Sequence, residues 1–162
     1  MYRLFLMGVR PLGKIDEIRK IATEVRQAFE ELKSSGKISP TYPPFGKFPN
    51  GCCGGASEIL IQYFKMLGYG DADYMSGVDY KISSHAWIRL DGICIDITAD
   101  QFNNRYFSEK PFTFDEYPSV IVEYEKDYPL KDIFPLDKPP STRNYCDNEI
   151  YAHLVQQLKE KN

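Results

Sequence analysis

Apolar residues recur at three- and four-residue steps along Ile15, Ile18, Ala22, Val25, Phe29 and Leu32, leaving Glu17, Lys20, Glu24, Glu31 and Lys33 for water. This period predicts an amphipathic helix over 15–34, with Gly36 as its stop. From Gly36 to Gly51 the chain reads GKISPTYPPFGKFPNG. Its four prolines each lack a backbone donor, so the segment can be neither a regular helix nor a central strand. A loop of this length inside a compact domain is commonly functional, and Tyr42, Phe45 and Phe48 point to a packed lip over a site. A broader stripe of Ala56, Ile59, Leu60, Tyr63, Phe64 and Leu67 then predicts a second helix, Cys53 to Leu67, ended by Gly68. Glu58 and Lys65 are its only charges, which argues for a helix buried at the centre.

After Gly70 the pattern shortens to period two. A strand is expected over Asp73 to Val78, and a hairpin from 85–90 (HAWIRL) and 93–98 (ICIDIT) about the turn dipeptide Asp91-Gly92. A further strand is expected over 119–124, a proline-bearing loop from Lys126 to Pro140, and a last helix from about Asp147 to Lys161. No repeat, low-complexity run or linker divides the chain. One domain over 1–162 is therefore expected, of α+β class.

The hairpin turn fixes a register in which Leu90 faces Ile93, Ile88 faces Ile95 and Ala86 faces Ile97, all on one apolar face. The other face carries His85, Trp87, Arg89, Cys94, Asp96 and Thr98. His85 and Asp96 become diagonal neighbours there, with β-carbons about 7–8 Å apart or less. A carboxylate on one ring nitrogen fixes the tautomer of the other, as a general base requires. A surface pair with no such role is the ordinary alternative for a hairpin.

A third group bears on the choice. Gly51-Cys52-Cys53-Gly54-Gly55 opens the second helix. A thiol in a first helical turn feels the positive end of the macrodipole, and the unpaired amides there can hold an oxyanion. Small buried cysteines are the common explanation of such residues alone. Together with one of only two histidines and a neighbouring acid, they read as a nucleophile, base and orienter. The second histidine, His153, falls in the last helix as a solvated or packed residue.

At these residues the chain resembles the transglutaminase-like branch of the papain-like superfamily. The resemblance lies in Gly51-Cys52-Cys53, His85-Ala86-Trp87 and Asp96-Ile97-Thr98, over about residues 48–102. It is closer still to small bacterial and phage proteins bearing GCCGxAS, SHAW and DITADQF. The resemblance implies a papain-like fold with the cysteine-bearing central helix packed on an antiparallel sheet. It implies Cys53 as nucleophile in preference to Cys52, His85 as base and then acid, and Asp96 as orienter. A peptide or protein amide would be the substrate, cleaved through an acyl-enzyme by water or transferred to an amine. The second oxyanion donor stays open: Asn50 is a candidate by proximity, and Asp100 and Gln101 line the site without an assigned role. No acidic cluster of the kind seen in calcium-binding relatives is present, so no metal is expected, and no cofactor.

Composition removes several classes. The 162 residues are 43% hydrophobic and 27% charged with a formal net charge of -3, too balanced to favour nucleic acid. Twelve Tyr and ten Phe favour a groove walled by aromatics. The opening MYRLFLMGVR is too short and too interrupted for a secretory core, and nothing approaches the roughly 20 apolar residues of a membrane span, so a cytoplasmic address is expected. Oligomeric state is not legible. Two competing readings stand beside the hydrolase. One is an idle papain-like module recognising peptides through aromatic loops at Tyr42–Phe48 and Tyr106–Phe114. The other is a zinc site of Cys52, Cys53, His85 and Cys94, which lacks the usual CxxC pairs.

Overall fold

A computed structural model describes residues 13–103 and 116–161. The opening run MYRLFLMGVR and the Tyr106–Phe114 loop lie outside the described residues. Helix α1 spans Lys14–Ser34, α2 Cys53–Met66 and α3 Asn148–Glu160. Strands β1 (Asp73–Asp79), β2 (Ser83–Leu90), β3 (Ile93–Asp96) and β4 (Ile121–Tyr124) pair in that order into one antiparallel sheet. The class is α+β, with the helices on one side of the sheet. Among the described residues no helix is long and apolar enough to cross a membrane.

Each helix forms where its apolar stripe was read. Ile18, Ala22, Val25, Phe29 and Leu32 of α1 are buried, as are Ile59, Leu60, Tyr63 and Phe64 of α2 and Ile150, Leu154 and Leu158 of α3. Asp147 caps α3 by accepting from the Ile150 amide. In the hairpin, Asp91 and Gly92 adopt φ of 50° and 76°, the left-handed pair that a two-residue turn between twisted strands demands. The resulting register is Leu90 with Ile93, Arg89 with Cys94 and Ile88 with Ile95.

Ile88, Leu90, Ile93, Ile95 and Ile97 join the three helices in the larger core. The opposite face is buried too, under a second cluster of Met75, Trp87, Cys94, Phe102, Tyr117, Tyr128, Leu130 and Phe134. The 126–140 segment supplies Tyr128, Leu130 and Phe134 of that cover. It winds through short 3-10 turns at Pro129–Lys131 and Glu125–Asp127 and then bridges the outer edge of β1 at Gly77–Leu136 and Tyr74–Ser141. A β-carbon on Gly77 would stand 2.0 Å from the Phe134 carbonyl oxygen, which is backbone and cannot turn aside. Gly77→Ala is accordingly expected to destabilise the fold by about 1–3 kcal/mol, read as a fall in denaturation midpoint with unchanged slope.

Three expectations are corrected. The strand read as 93–98 ends at Asp96, because the chain turns into a 3-10 helix at Ala99–Phe102; β4 likewise begins at Ile121 and not at 119. Phe45 and Phe48 form no lip. Both rings stack on Phe29 of α1, at centroid separations of 5.8 and 4.7 Å, and fill the main core, because a 3-10 turn at Phe45–Lys47 folds the loop back onto the helices. Only Tyr42 stays near the surface, donating to Asp147 at 2.7 Å.

Candidate active site

The site begins at the entrance to α2. The first helical hydrogen bond runs from the Ala56 amide to the Cys52 carbonyl at 2.9 Å, so the amides of Cys53, Gly54 and Gly55 have no acceptor within the helix. The two cysteines part company here. Cys52 is fully buried in the larger core, and burial with the neighbouring Cys53 charge pushes its thiol up to about 12. Cys53 is only partly buried. The paired glycines answer to neighbours in the protein itself: a β-carbon on Gly55 would meet the Phe45 ring at 2.8 Å, and one on Gly54 the Tyr74 hydroxyl at 3.0 Å.

His85, on β2, and Asp96, at the end of β3, share the second face of the sheet. Their side chains meet at 2.7 Å through His85 Nε2 and Asp96 Oδ2. Neither is more than 2% exposed. The imidazole is fixed by aromatic rings: Trp87 at 5.8 Å, Phe102 edge-on at 5.0 Å and Phe134 at 5.5 Å between centroids. Asp96 is supplied with further donors. Tyr128 donates its hydroxyl to Oδ2 at 2.7 Å, and the Thr98 amide donates to Oδ1 at 2.9 Å.

With Nε2 held by the acid, the opposite ring nitrogen is the one left for chemistry. Nδ1 is buried and has no hydrogen-bond partner. The Cys53 thiol lies close enough to His85 for the two groups to shift one another's titration. Burial alone would raise the Cys53 pKa; the neighbouring His85 and the Ala86 amide outweigh it and leave the thiol below its ordinary value. Burial would likewise lower His85, but the Asp96 carboxylate and the Cys53 sulfur raise it to about 9. Burial opposes ionisation of Asp96, and His85, Tyr128 and the Thr98 amide overcome it, holding the carboxyl below its usual range. All three shifts favour one state, a thiolate beside an imidazolium whose far side is neutralised by a carboxylate.

A second set of contacts ties these elements together. Gln101 is buried, accepts from the Gly51 amide at 3.3 Å and donates to Thr98 Oγ1 at 3.3 Å, so it links the turn before Cys53 to the turn after Asp96. Asp100 receives both guanidinium nitrogens of Arg26 at 2.7 Å. Arg26 also donates to the Ile97 carbonyl at 2.7 Å and lies over the Phe48 ring. Asp100 thus anchors the segment to α1 and does not face the reacting groups. Asn50 is exposed, and its amide closes a turn onto the Lys47 carbonyl.

Sequence reasoning did not find Arg26, Tyr128 or Tyr74. Arg26 had a signal, a charge set directly within the stripe of Val25 and Phe29. Tyr128 had none beyond the general need of a buried carboxylate for several donors. The zinc arrangement does not form: Cys52 and Cys94 belong to clusters on opposite faces of the sheet. Among the described residues no group of three or more His, Cys, Asp or Glu could hold a metal ion. His153 is half-buried on α3. No family model, curated protein or solved structure matches this chain.

Proposed function

We propose that this protein is a cysteine-dependent hydrolase or acyltransferase acting on an amide or peptide bond through Cys53, His85 and Asp96. The observation that carries the reading is the imidazole itself: one nitrogen bonded to a buried carboxylate, the other buried and left without a hydrogen-bond partner, in a ring whose neighbour is the partly buried Cys53 at a helix entrance. A thiol helix on an antiparallel sheet, with base and acid on adjacent strands, also supports a papain-like, transglutaminase-like fold. A reactive thiol must stay reduced, and Cys52, Cys53, Cys94 and Cys146 are all free, which fits a cytoplasmic address.

In the first step the Cys53 thiolate attacks the carbonyl carbon and the C=O pair moves onto oxygen. The helix-entrance amides of Cys53, Gly54 and Gly55, which have no acceptor within the helix, would serve as donors to that oxyanion. The His85 imidazolium passes its Nδ1 proton to the leaving nitrogen as the C–N bond breaks, leaving a thioester and a neutral imidazole. Water then gives its proton to His85 while its oxygen attacks the thioester, and the expelled thiolate restores the starting pair. An amine in place of water gives transfer. Asp96 stays ionised throughout, holding the ring and stabilising its positive charge.

The pKa directions define the pH test. Cys53 is lowered, so its thiolate persists below the ordinary thiol range and is lost only as pH falls through the lowered value. His85 is raised, so its proton is available until pH rises through about 9. Amide turnover should therefore be bell-shaped with an alkaline limb near 9, whereas alkylation of Cys53 by iodoacetamide, which needs no proton donor, should lack that limb. Identical profiles for the two reactions would contradict the assignment of His85 as the acid.

A further inference from the structure

Tyr74, whose hydroxyl reaches the first turn of α2, carries over its ring an arginine that the triad does not use. Arg143 follows the strap that bridges β1, and two sets of contacts hold it there. Tyr74 and Ser141 exchange backbone hydrogen bonds at 2.7 and 3.2 Å, and Gln62 of α2 donates to the Arg143 carbonyl at 2.8 Å. The guanidinium lies over the Tyr74 ring, 4.2 Å from its centroid, and 5.6 Å from that of Tyr145, whose hydroxyl it also contacts. The Tyr74 hydroxyl is the same one that abuts Gly54, the residue after Cys53. The phenol therefore meets the guanidinium with its ring and the first turn of α2 with its hydroxyl.

This arginine lacks its usual partner. Among the described residues it forms no ion pair with a carboxylate, and its Nε is buried without an acceptor. Glu58, one turn along α2 from Gly54, faces it electrostatically at a distance too great for a salt bridge, and burial keeps that carboxyl above its ordinary value against the pull of Arg143. Tyr74 remains a neutral donor: burial and the Cys53 and Glu58 charges push it up to about 12, with Arg143 opposing. A planar fork of donors over the Tyr74 ring, beside a phenol O–H that abuts the residue after the thiol, is suited to a carboxylate.

We propose that Arg143 and Tyr74 form a specificity subsite for a carboxylate on the substrate, so that the preferred amides carry an acidic group near the scissile carbonyl. This rests on Cys53 being the reactive thiolate, and the test keeps the two apart. The full chain is treated with iodoacetate and, separately, with neutral iodoacetamide at low ionic strength. Labelling of Cys53 is followed by intact mass and peptide mapping. Each reagent forms a C–S bond with loss of iodide, so the rate ratio isolates the effect of the carboxylate.

Arg143→Gln is expected to lower the iodoacetate-to-iodoacetamide ratio about three- to tenfold, the size of a partly screened charge interaction, and added salt should shrink the difference. Arg143→Lys should retain much of the ratio and reports on loss of charge as distinct from loss of the strap. Glu58→Gln should raise it. Fast labelling by both reagents with a ratio unchanged in Arg143→Gln would overturn the subsite alone. Labelling of Cys53 no faster than free cysteine by either reagent would remove the thiolate and the subsite together.

Discussion

Cys53→Ala should reduce amide turnover by a factor on the order of 10⁴ or more while leaving the fold intact. The loss follows from chemistry with no substitute, since no other thiol adjoins the His85 imidazole. The fold survives because Cys53 is only partly buried at a helix entrance, and alanine keeps the backbone geometry there. The adjacent residue supplies the contrast. Cys52 is fully buried, so Cys52→Ala should cost about 1 kcal/mol through lost packing and change turnover only severalfold. Steady-state kinetics beside denaturant melts on the two variants separate the effects. The reverse pattern, an active Cys53→Ala and a dead Cys52→Ala, would move the chemistry one residue upstream.

Asp96→Asn should have the second-largest effect, a loss of about 10⁴ in kcat through the base's tautomer and charge. The carboxylate now accepts from His85 Nε2, Tyr128 Oη and the Thr98 amide. An amide in its place has one accepting oxygen, and if its NH2 turns to Nε2 the imidazole must carry its proton on Nδ1, against Cys53. Without the negative charge, burial drives His85 down from about 9 and the thiolate loses its counterion. The variant should also be about 1–3 kcal/mol less stable, because a buried donor is left without an acceptor. A kcat near that of the unaltered protein, with His85 still protonated at neutral pH by NMR, would contradict the role given to Asp96.

The parts legible in the sequence were those set by local rules. Asp91-Gly92 forced one turn, the turn forced one register, and the register put His85 and Asp96 on one face before any long-range contact was known. The stripes of α1, α2 and α3 followed from periodicity alone. What escaped depends on distant segments. Phe45 and Phe48 read as a lip because nothing local says that their loop folds onto Phe29. The Lys126–Pro140 segment read as plain loop, though it delivers Tyr128 to Asp96 and Phe134 to His85 from more than thirty residues away. Nothing local marks Tyr74 and Phe45 as the neighbours that leave no room for a side chain at Gly54 and Gly55. Arg26 was hidden by the habit of assigning charged helix residues to solvent, when its partners lie on a segment seventy residues on.

The most direct trial is the second-order rate of Cys53 alkylation by iodoacetamide at pH 6, measured by site-resolved mass spectrometry in the unaltered protein and in His85→Ala. At that pH an ordinary thiol is almost wholly protonated. A rate well above that of free cysteine, confined to Cys53 and falling at least tenfold in His85→Ala, is the expected result. A rate equal to free cysteine, or one indifferent to the loss of His85, would mean that the imidazole does not ionise the thiol.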